Sequence, residues 1–210
     1  MTYSVKEIFL TLQGEGMQAG RRAVFLRFSG CNLWSGREED RATAKCRFCD
    51  TDFVGTDGLG GGKFRSPAEV ADAVLEVWGE HSENRLVVIT GGEPMLQLDK
   101  PLVDALHDYG FRVAVETNGT IAAVAEVDWI CVSPKAGTDV VQQRGDELKL
   151  VWPQEGIDPA NLESWDFSHF LVQPMDCANR EAALASAIRL AMDRPKWRLS
   201  LQAHKVIGLP

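Results

Sequence analysis

The stretch Leu86-Val87-Val88-Ile89-Thr90-Gly91-Gly92-Glu93-Pro94 decides the fold of this chain. An unbroken apolar run that ends in a threonine, two glycines and a proline reads as a strand covered on both faces. Such a strand belongs in a parallel sheet, and ligands of parallel α/β sheets sit at the strand C-terminal ends. Two glycines at that end let the backbone approach a bound molecule closely, and their carbonyls can accept hydrogen bonds from an ammonium group. A tight turn with Pro94 opening the next segment is the alternative reading of the same residues.

On either side of it, similar runs occur at residues 23–28, 112–115, 129–133, 148–152 and 170–173. Helical patterns lie between some of them. Over Pro67–Trp78 the apolar stripe is Val70, Val74 and Val77 or Trp78. Ser66 is its expected N-cap, with Pro67 at the first helical position and Glu69 three residues after the cap. Residues 101–109 form a second expected helix, stopped by Gly110, and 181–192 a third, with Leu184, Ile188 and Ala191 on one face. Residues 122–127 fit neither period. Alternating strands and helices predict a parallel sheet with right-handed crossovers. Six strands fall short of a closed eight-unit barrel, which typically needs about 250 residues. The expected fold class is therefore α/β, an open, partial parallel β/α barrel of about six strands, in a single domain over residues 1–210. Polar and glycine-bearing clusters follow at the strand ends: Cys31, Gly91-Gly92-Glu93-Pro94, Asn118-Gly119, Ser133-Pro134-Lys135 and Gln173-Pro174-Met175-Asp176.

The net charge of -8 over 210 residues argues against a broad nucleic-acid-binding surface. No apolar stretch is long enough to span a membrane, and no basic segment precedes an apolar run at the N-terminus, so no signal peptide is expected. Five cysteines, an odd number without a secretory pattern, argue against a disulfide framework. A reducing, cytoplasmic setting is expected, in which clustered cysteines bind metal.

Three of those cysteines carry the chemistry. Cys31 closes the run that begins at Ala23, and Cys46 and Cys49 form a C-x2-C pair in Cys46-Arg47-Phe48-Cys49-Asp50-Thr51. Three thiolates can hold three irons of a cubane cluster and leave the fourth open to a second molecule. The alternative is a zinc site closed by His81, Cys131 or Cys177, none of which has zinc-knuckle spacing. Arg27 interrupts an apolar strand and is either half of a structural ion pair or a bidentate clamp on a substrate carboxylate. Glu116 is either a core-edge carboxylate or a proton-transfer group. Cys131 and Cys177 read as small core residues, and His204 and Lys205 as surface residues. Residues 55–62 read as a flexible glycine-rich loop, because Asp57 and Phe64 occupy positions that a phosphate loop gives to glycine and Ser/Thr.

Taken together, these residues resemble the radical S-adenosylmethionine enzymes, and within them the 7-carboxy-7-deazaguanine synthase family. The strings that carry the resemblance are Glu7-Ile8-Phe9, Leu12-Gln13-Gly14-Glu15-Gly16, Phe25-Leu26-Arg27-Phe28-Ser29-Gly30-Cys31-Asn32-Leu33, Cys49-Asp50-Thr51, Thr90-Gly91-Gly92-Glu93-Pro94, Glu116-Thr117-Asn118-Gly119, Ser133-Pro134-Lys135 and Gln173-Pro174-Met175-Asp176. They run from residue 7 to the C-terminus. The usual C-x3-C-x2-C spacing is replaced by fourteen residues between Cys31 and Cys46, so residues 32–45 are read as an insertion that still returns Cys46 to the cluster.

The resemblance implies a [4Fe-4S] cluster on Cys31, Cys46 and Cys49, S-adenosylmethionine chelated to the open iron, and a 5′-deoxyadenosyl radical that takes hydrogen from C6 of 6-carboxy-5,6,7,8-tetrahydropterin. Ring contraction with loss of ammonia then gives 7-carboxy-7-deazaguanine, a carbon–nitrogen lyase reaction that feeds queuosine synthesis. By the same resemblance Leu12, Gln13, Gly14, Arg27, Thr90 and Pro210 form the substrate site. Phe48, Cys49, Asp50, Gly92, Ser133, Pro134, Lys135, Gln173, Pro174, Met175 and Asp176 form the S-adenosylmethionine site, and Thr51 is a Mg2+ ligand. Glu116, Lys135 and His204 are the candidates for proton transfer. The expected partners are an electron donor such as flavodoxin or ferredoxin and a second copy in a homodimer. Another small radical enzyme, such as a glycyl-radical activase, is the nearest alternative, and a zinc or iron–sulfur binding module is a more distant one. The strings Gln13-Gly14-Glu15-Gly16 and Cys49-Asp50-Thr51 point away from the activase.

Overall fold

The computed structural model describes residues 2–209, so Pro210 lies outside the described residues. Nine strands form one sheet: β1 (Tyr3–Leu12), β2 (Arg22–Phe28), β3 (Gly62–Phe64), β4 (Leu86–Gly91), β5 (Arg112–Thr117), β6 (Trp129–Val132), β7 (Arg144–Trp152), β8 (Asp166–Pro174) and β9 (Trp197–Leu199). Their order is β3-β1-β2-β4-β5-β6-β7-β8-β9. Neighbours from β2 to β9 run parallel, whereas β1 is antiparallel to both β2 and β3. Among the described residues the edge strands β3 and β9 do not pair, so the barrel is open, as expected.

All six expected strands are present, and three more join them. β1 escaped because its register shifts between Val5 and Glu7, which breaks a simple alternation. β3 and β9 have three residues each, too few to carry a period. The loop over residues 55–62 departs from the expected flexible segment. Gly58 donates to the Lys6 carbonyl at 3.0 Å and Ile8 donates to the Leu59 carbonyl at 2.7 Å, so the loop is docked along β1. A Cβ on Gly61 would fall 2.2 Å from the Lys6 carbonyl oxygen. These glycines serve close backbone approach.

Helices α1 (Pro67–Trp78), α2 (Lys100–Asp108), α3 (Pro159–Leu162), α4 (Arg180–Asp193) and α5 (Ala203–Ile207) complete the architecture. The Ser66 hydroxyl caps α1 by accepting from the Glu69 amide at 3.2 Å. α2 starts one residue earlier than expected because Asp99 takes the cap, accepting from the Leu102 amide at 3.1 Å. On α4 the expected face is corrected. Ala183, Ala187 and Leu190 are buried, while Leu184 and Ile188 are exposed. Both stripes satisfy a helical period, and the alanines let the helix lie close on β8 and β9. Cys177 is half-buried, not a core residue.

The outer faces of the strands make the main core. Val24, Leu26, Phe28, Val87, Ile89, Val113 and Val115 pack against α1 and α2. The alternate residues point into the barrel. Near its N-terminal end Ala23, Leu86, Val88 and Ala114 form an apolar plug with Phe25 and Trp129. Towards the C-terminal ends the inward positions become polar: Arg27 beside Thr90, then Glu116, Cys131 and Glu147 in one register row. That switch from apolar plug to polar row places a site at the strand C-terminal ends.

Candidate active site

A cavity of about 350 Å³ opens at those ends. Its lining brings together Leu12, Gln13, Gly14, Arg27 and Thr90 with Cys31, Cys46, Phe48, Cys49, Asp50, Thr51, Gly92, Ser133, Lys135, Gln173, Pro174 and Asp176, along with Glu116 and His204. Pro134 and Met175 are not among the described residues that line it. Pro134 is buried, with its carbonyl accepting from Gln154, and Met175 donates to the Trp152 carbonyl at 2.8 Å.

The cysteine corner is built by the insertion. Its ends meet where the Lys45 amide donates to the Leu33 carbonyl at 3.1 Å. A 3-10 helix over Glu38–Thr43 carries Arg41, whose guanidinium lies 4.0 Å from the centre of the Trp34 ring. Arg41 also donates to the carbonyls of Arg47 at 2.9 Å and Cys49 at 3.1 Å. One cation thus ties the insertion to the C-x2-C turn and brings Cys46 back to Cys31. The Cys46 thiol donates to Cys49, which is the main cause of a Cys49 pKa lowered to about 6; the same bond raises that of Cys46. Burial raises Cys31.

Three sulfurs on one cavity fit a cubane cluster with an open iron. The fourth zinc ligands considered from sequence, His81, Cys131 and Cys177, are not among the described residues lining it. Gly92 closes the corner from β4. A Cβ there would lie 2.2 Å from the Gly30 carbonyl oxygen and 2.5 Å from Cys31 Cβ.

Glu93 is a strut between β4 and β5. It is fully buried and accepts from the Thr117 hydroxyl at 2.7 Å, the Asn118 amide at 2.8 Å and the Met95 amide at 3.0 Å. Glu93→Ala strands those donors in the interior. We expect the apoprotein to lose about 3 kcal/mol of stability, read by urea unfolding. An unchanged midpoint would remove Glu93 from this role.

Arg27 makes an ion pair, donating from Nε to Glu7 Oε1 at 2.7 Å, and its guanidinium also lines the cavity. Lys135 donates to the carbonyl and hydroxyl oxygens of Ser133, both at 2.7 Å, and its ammonium lies 5.8 Å from the Phe48 ring centre. Burial lowers its pKa. Gln13 donates to Glu116 Oε1 at 3.1 Å. The C-terminal segment crosses the mouth. Ala203 donates to the Gly14 carbonyl at 2.9 Å, and Lys205 bonds Asp50 and Asp176 at 2.6 Å each. His204 packs on Gly14, where a Cβ would strike its ring. Lys205 is exposed, as expected, and His204 is half-buried; both also line the cavity. Lys205 is held there because the carboxylates come from two separate elements.

Glu15, Lys149 and Gln202 also line the site, and sequence reading assigned them no role. Lys149 carried a usable signal: it interrupts a buried apolar strand just as Arg27 does. Glu116, Cys131 and Glu147 hold their ligand atoms within 4.8 Å of one another. The Lys149 ammonium lies 2.5 Å from Glu116, so this group already contains its cation.

Comparison with known proteins agrees with this geometry. The profile of the radical SAM superfamily matches residues 40–148. A 7-carboxy-7-deazaguanine synthase of Caulobacter vibrioides is 62% identical over 210 residues, covering all of both chains. One of Bordetella pertussis is 60% identical over the same full length. The crystal structure of QueE from Escherichia coli superimposes with a TM-score of 0.73 at 29% identity, covering 97% of this chain and 95% of that one.

Proposed function

The chain belongs to the 7-carboxy-7-deazaguanine synthase family of the radical SAM superfamily, and from that membership we propose that it converts 6-carboxy-5,6,7,8-tetrahydropterin to 7-carboxy-7-deazaguanine. The reaction is a ring contraction with loss of ammonia, a carbon–nitrogen lyase step in queuosine synthesis. One observation carries the reading: a single cavity of about 350 Å³ joins a three-cysteine corner to Arg27, which is held by Glu7.

In this reading Cys31, Cys46 and Cys49 hold the [4Fe-4S] cluster, and Phe48, Asp50, Gly92, Ser133, Pro134, Lys135 and Gln173 through Asp176 hold S-adenosylmethionine. When bound, these groups supply the 5′-deoxyadenosyl radical that takes hydrogen from C6 of the substrate. The protein orients the reactants and excludes water. Arg27 faces the substrate carboxylate, with Glu7 fixing its Nε so that the guanidinium does not swing. Leu12, Gln13, Gly14 and Thr90 line the same cavity, and family membership assigns Pro210 to the substrate site as well. Glu116, Lys135 and His204 are the groups available to move protons. Thr51 would offer one hydroxyl oxygen to Mg2+, an ion that usually keeps several waters and draws further oxygens from substrate. The catalytic unit is one domain with residues 32–45 inserted in the cluster loop. Its partners are a low-potential donor such as flavodoxin or ferredoxin and a second copy of the chain. Five free cysteines suit a reducing cytoplasm, and no helix among the described residues is long and apolar enough to cross a membrane.

Anaerobic turnover of the reconstituted protein with dithionite, Mg2+, S-adenosylmethionine and the pterin tests the proposal, with products read by mass spectrometry. 7-Carboxy-7-deazaguanine is expected; 5′-deoxyadenosine without it would leave a radical enzyme with another substrate. Arg27→Ala should raise KM for the pterin about 10- to 100-fold, because a charged hydrogen bond is worth about 1.5–3 kcal/mol. An unchanged KM would return Arg27 to a structural ion pair. Thr51→Ala should blunt the stimulation by Mg2+, and an unaltered Mg2+ response would move the ion elsewhere.

A further inference from the structure

The cavity wall carries a largely buried charge network centred on a lysine that the roles above do not use. The Lys149 side chain is 4% exposed. Its ammonium donates to Glu15 Oε2 at 2.6 Å and to Glu116 Oε2 at 2.5 Å. The other oxygen of each carboxylate is also engaged: Gln202 donates to Glu15 Oε1 at 2.9 Å and Gln13 donates to Glu116 Oε1 at 3.1 Å. Four separate parts of the chain, the turn after β1, the end of β5, β7 and the C-terminal segment, therefore converge on one cation.

The surroundings make that cation necessary. Glu147 and Cys131 face Lys149 from β7 and β6, and Lys135 adds a second positive charge nearby. Burial raises the Glu147 carboxyl, and the Glu116 charge beside it raises it further. Glu147 accepts from the Met17 amide at 2.8 Å, and Gly16 leaves room for it, since a Cβ there would sit 2.4 Å from its Oε1. Burial alone would raise Glu15 as well, but the Lys149 charge and hydrogen bond outweigh it, with smaller help from Gln202 and Gln173, and hold Glu15 at about 2. A carboxylate has about four acceptor positions, so both Glu15 and Glu116 can still accept from a ligand.

We propose that Lys149 is a positioning residue of the substrate floor: by bridging Glu15 and Glu116 it fixes two ionised carboxylates as acceptors for the N–H-rich pyrimidine edge of the pterin. The assignment rests on the substrate reading above and adds to it. Lys149 does not touch the reacting atoms; it acts through the two glutamates. A 2-amino-4-oxopyrimidine presents adjacent N–H donors and has no use for an ammonium, so the cation sits below the acceptors. The same floor selects against ring systems that present only acceptors along that edge.

The sign of the pH dependence follows. In the wild type Glu15 stays ionised across the working range, so Glu15 adds no pH dependence of its own to pterin affinity from about pH 6 to pH 8.5, and the wild-type profile, which carries whatever His204, Glu147 and Lys135 contribute, is the reference. In Lys149→Met burial acts on Glu15 without its counter-charge and the carboxyl takes up a proton towards neutral pH. Affinity should then fall as pH is lowered, approaching tenfold per pH unit once the carboxyl is mostly protonated. Lys149→Arg keeps the charge and should restore the wild-type profile.

Two measurements on the full chain test this. One is the Kd of 6-carboxytetrahydropterin on the reconstituted holoenzyme from pH 6 to 8.5, with iron content as the folding control. The other is a titration of glutamate side-chain carbons by NMR on the apoprotein, which needs no substrate. A Kd in Lys149→Met that weakens towards low pH relative to wild type, a wild-type profile in Lys149→Arg and a new glutamate titration in Lys149→Met support the proposal. A Lys149→Met profile parallel to wild type, or no new glutamate titration, overturns it. A wild type that loads its cluster but binds no pterin overturns instead the substrate reading. If Lys149→Met does not load iron, the comparison passes to Lys149→Gln, judged by the same outcomes.

Discussion

Replacing Cys31, Cys46 or Cys49 with alanine is expected to abolish both iron loading of the open-iron type and cleavage of S-adenosylmethionine. Two thiolates cannot hold three irons, and none of the cysteines has a substitute: Cys131 faces Glu147 inside the barrel and Cys177 lies in the loop between β8 and α4. The loss should be complete within detection, because the radical is made nowhere else in the reaction. Iron and sulfide analysis after anaerobic reconstitution checks the first half, and 5′-deoxyadenosine formation checks the second. The three variants should differ in one respect. Cys46 and Cys49 share a hydrogen bond and a short turn held by Arg41, so losing either disturbs a local pair, whereas Cys31 sits across the insertion on the β2 end. A variant that keeps normal iron content and cleavage would dismiss that residue as a ligand.

Gly92→Ala should be nearly as damaging, although it removes no functional group. The added methyl would fall 2.2 Å from the Gly30 carbonyl oxygen and 2.5 Å from Cys31 Cβ, and the first of these is backbone. The Glu93 amide donates to that same carbonyl at 3.0 Å, so β4 cannot retreat without breaking the bond. Overpacking of this kind costs about 1–3 kcal/mol when side chains can adjust, and here backbone must move. We expect about 3 kcal/mol of lost stability in the apoprotein and at least tenfold weaker S-adenosylmethionine binding, since the clash pushes Cys31 out of the corner. Gly62→Ala is the control. Its Cβ would meet only Phe64 at 3.8 Å, and its stability should stay within about 1 kcal/mol of wild type. Equal behaviour of the two variants in unfolding and in ligand titration would remove the steric argument.

Much of this site is legible in the amino-acid sequence. The run at residues 86–94 announces a buried parallel strand with a ligand at its end, and the cysteine spacing announces a metal. Those signals are local: a strand buried on both faces must be apolar throughout, and the C-x2-C pair lies within one turn, although Cys31 reaches it only across the insertion. Arg27 shows itself by standing where only apolar residues belong. Lys149 sends the same signal, but its meaning depends on Glu15, which lies 134 residues away in sequence. Gly58, Gly60 and Gly61 mislead for a related reason: a glycine needed for close contact with β1 looks, in sequence, like a glycine needed for freedom.

The class of fold, the six central parallel strands, the Ser66 cap of α1 and the residues able to carry cluster chemistry are properties of the sequence alone. They follow from backbone geometry and side-chain chemistry within a few residues of each position. It took the packed chain to settle that Tyr3–Leu12 adds an antiparallel strand to the parallel sheet, that α4 buries its alanines and not Leu184 and Ile188, that the insertion closes through Arg41, and that the C-terminal segment is latched by Lys205. A period states which residues share a face but not what that face will meet. A buried charge states that it needs a partner but not which of the distant carboxylates will reach it.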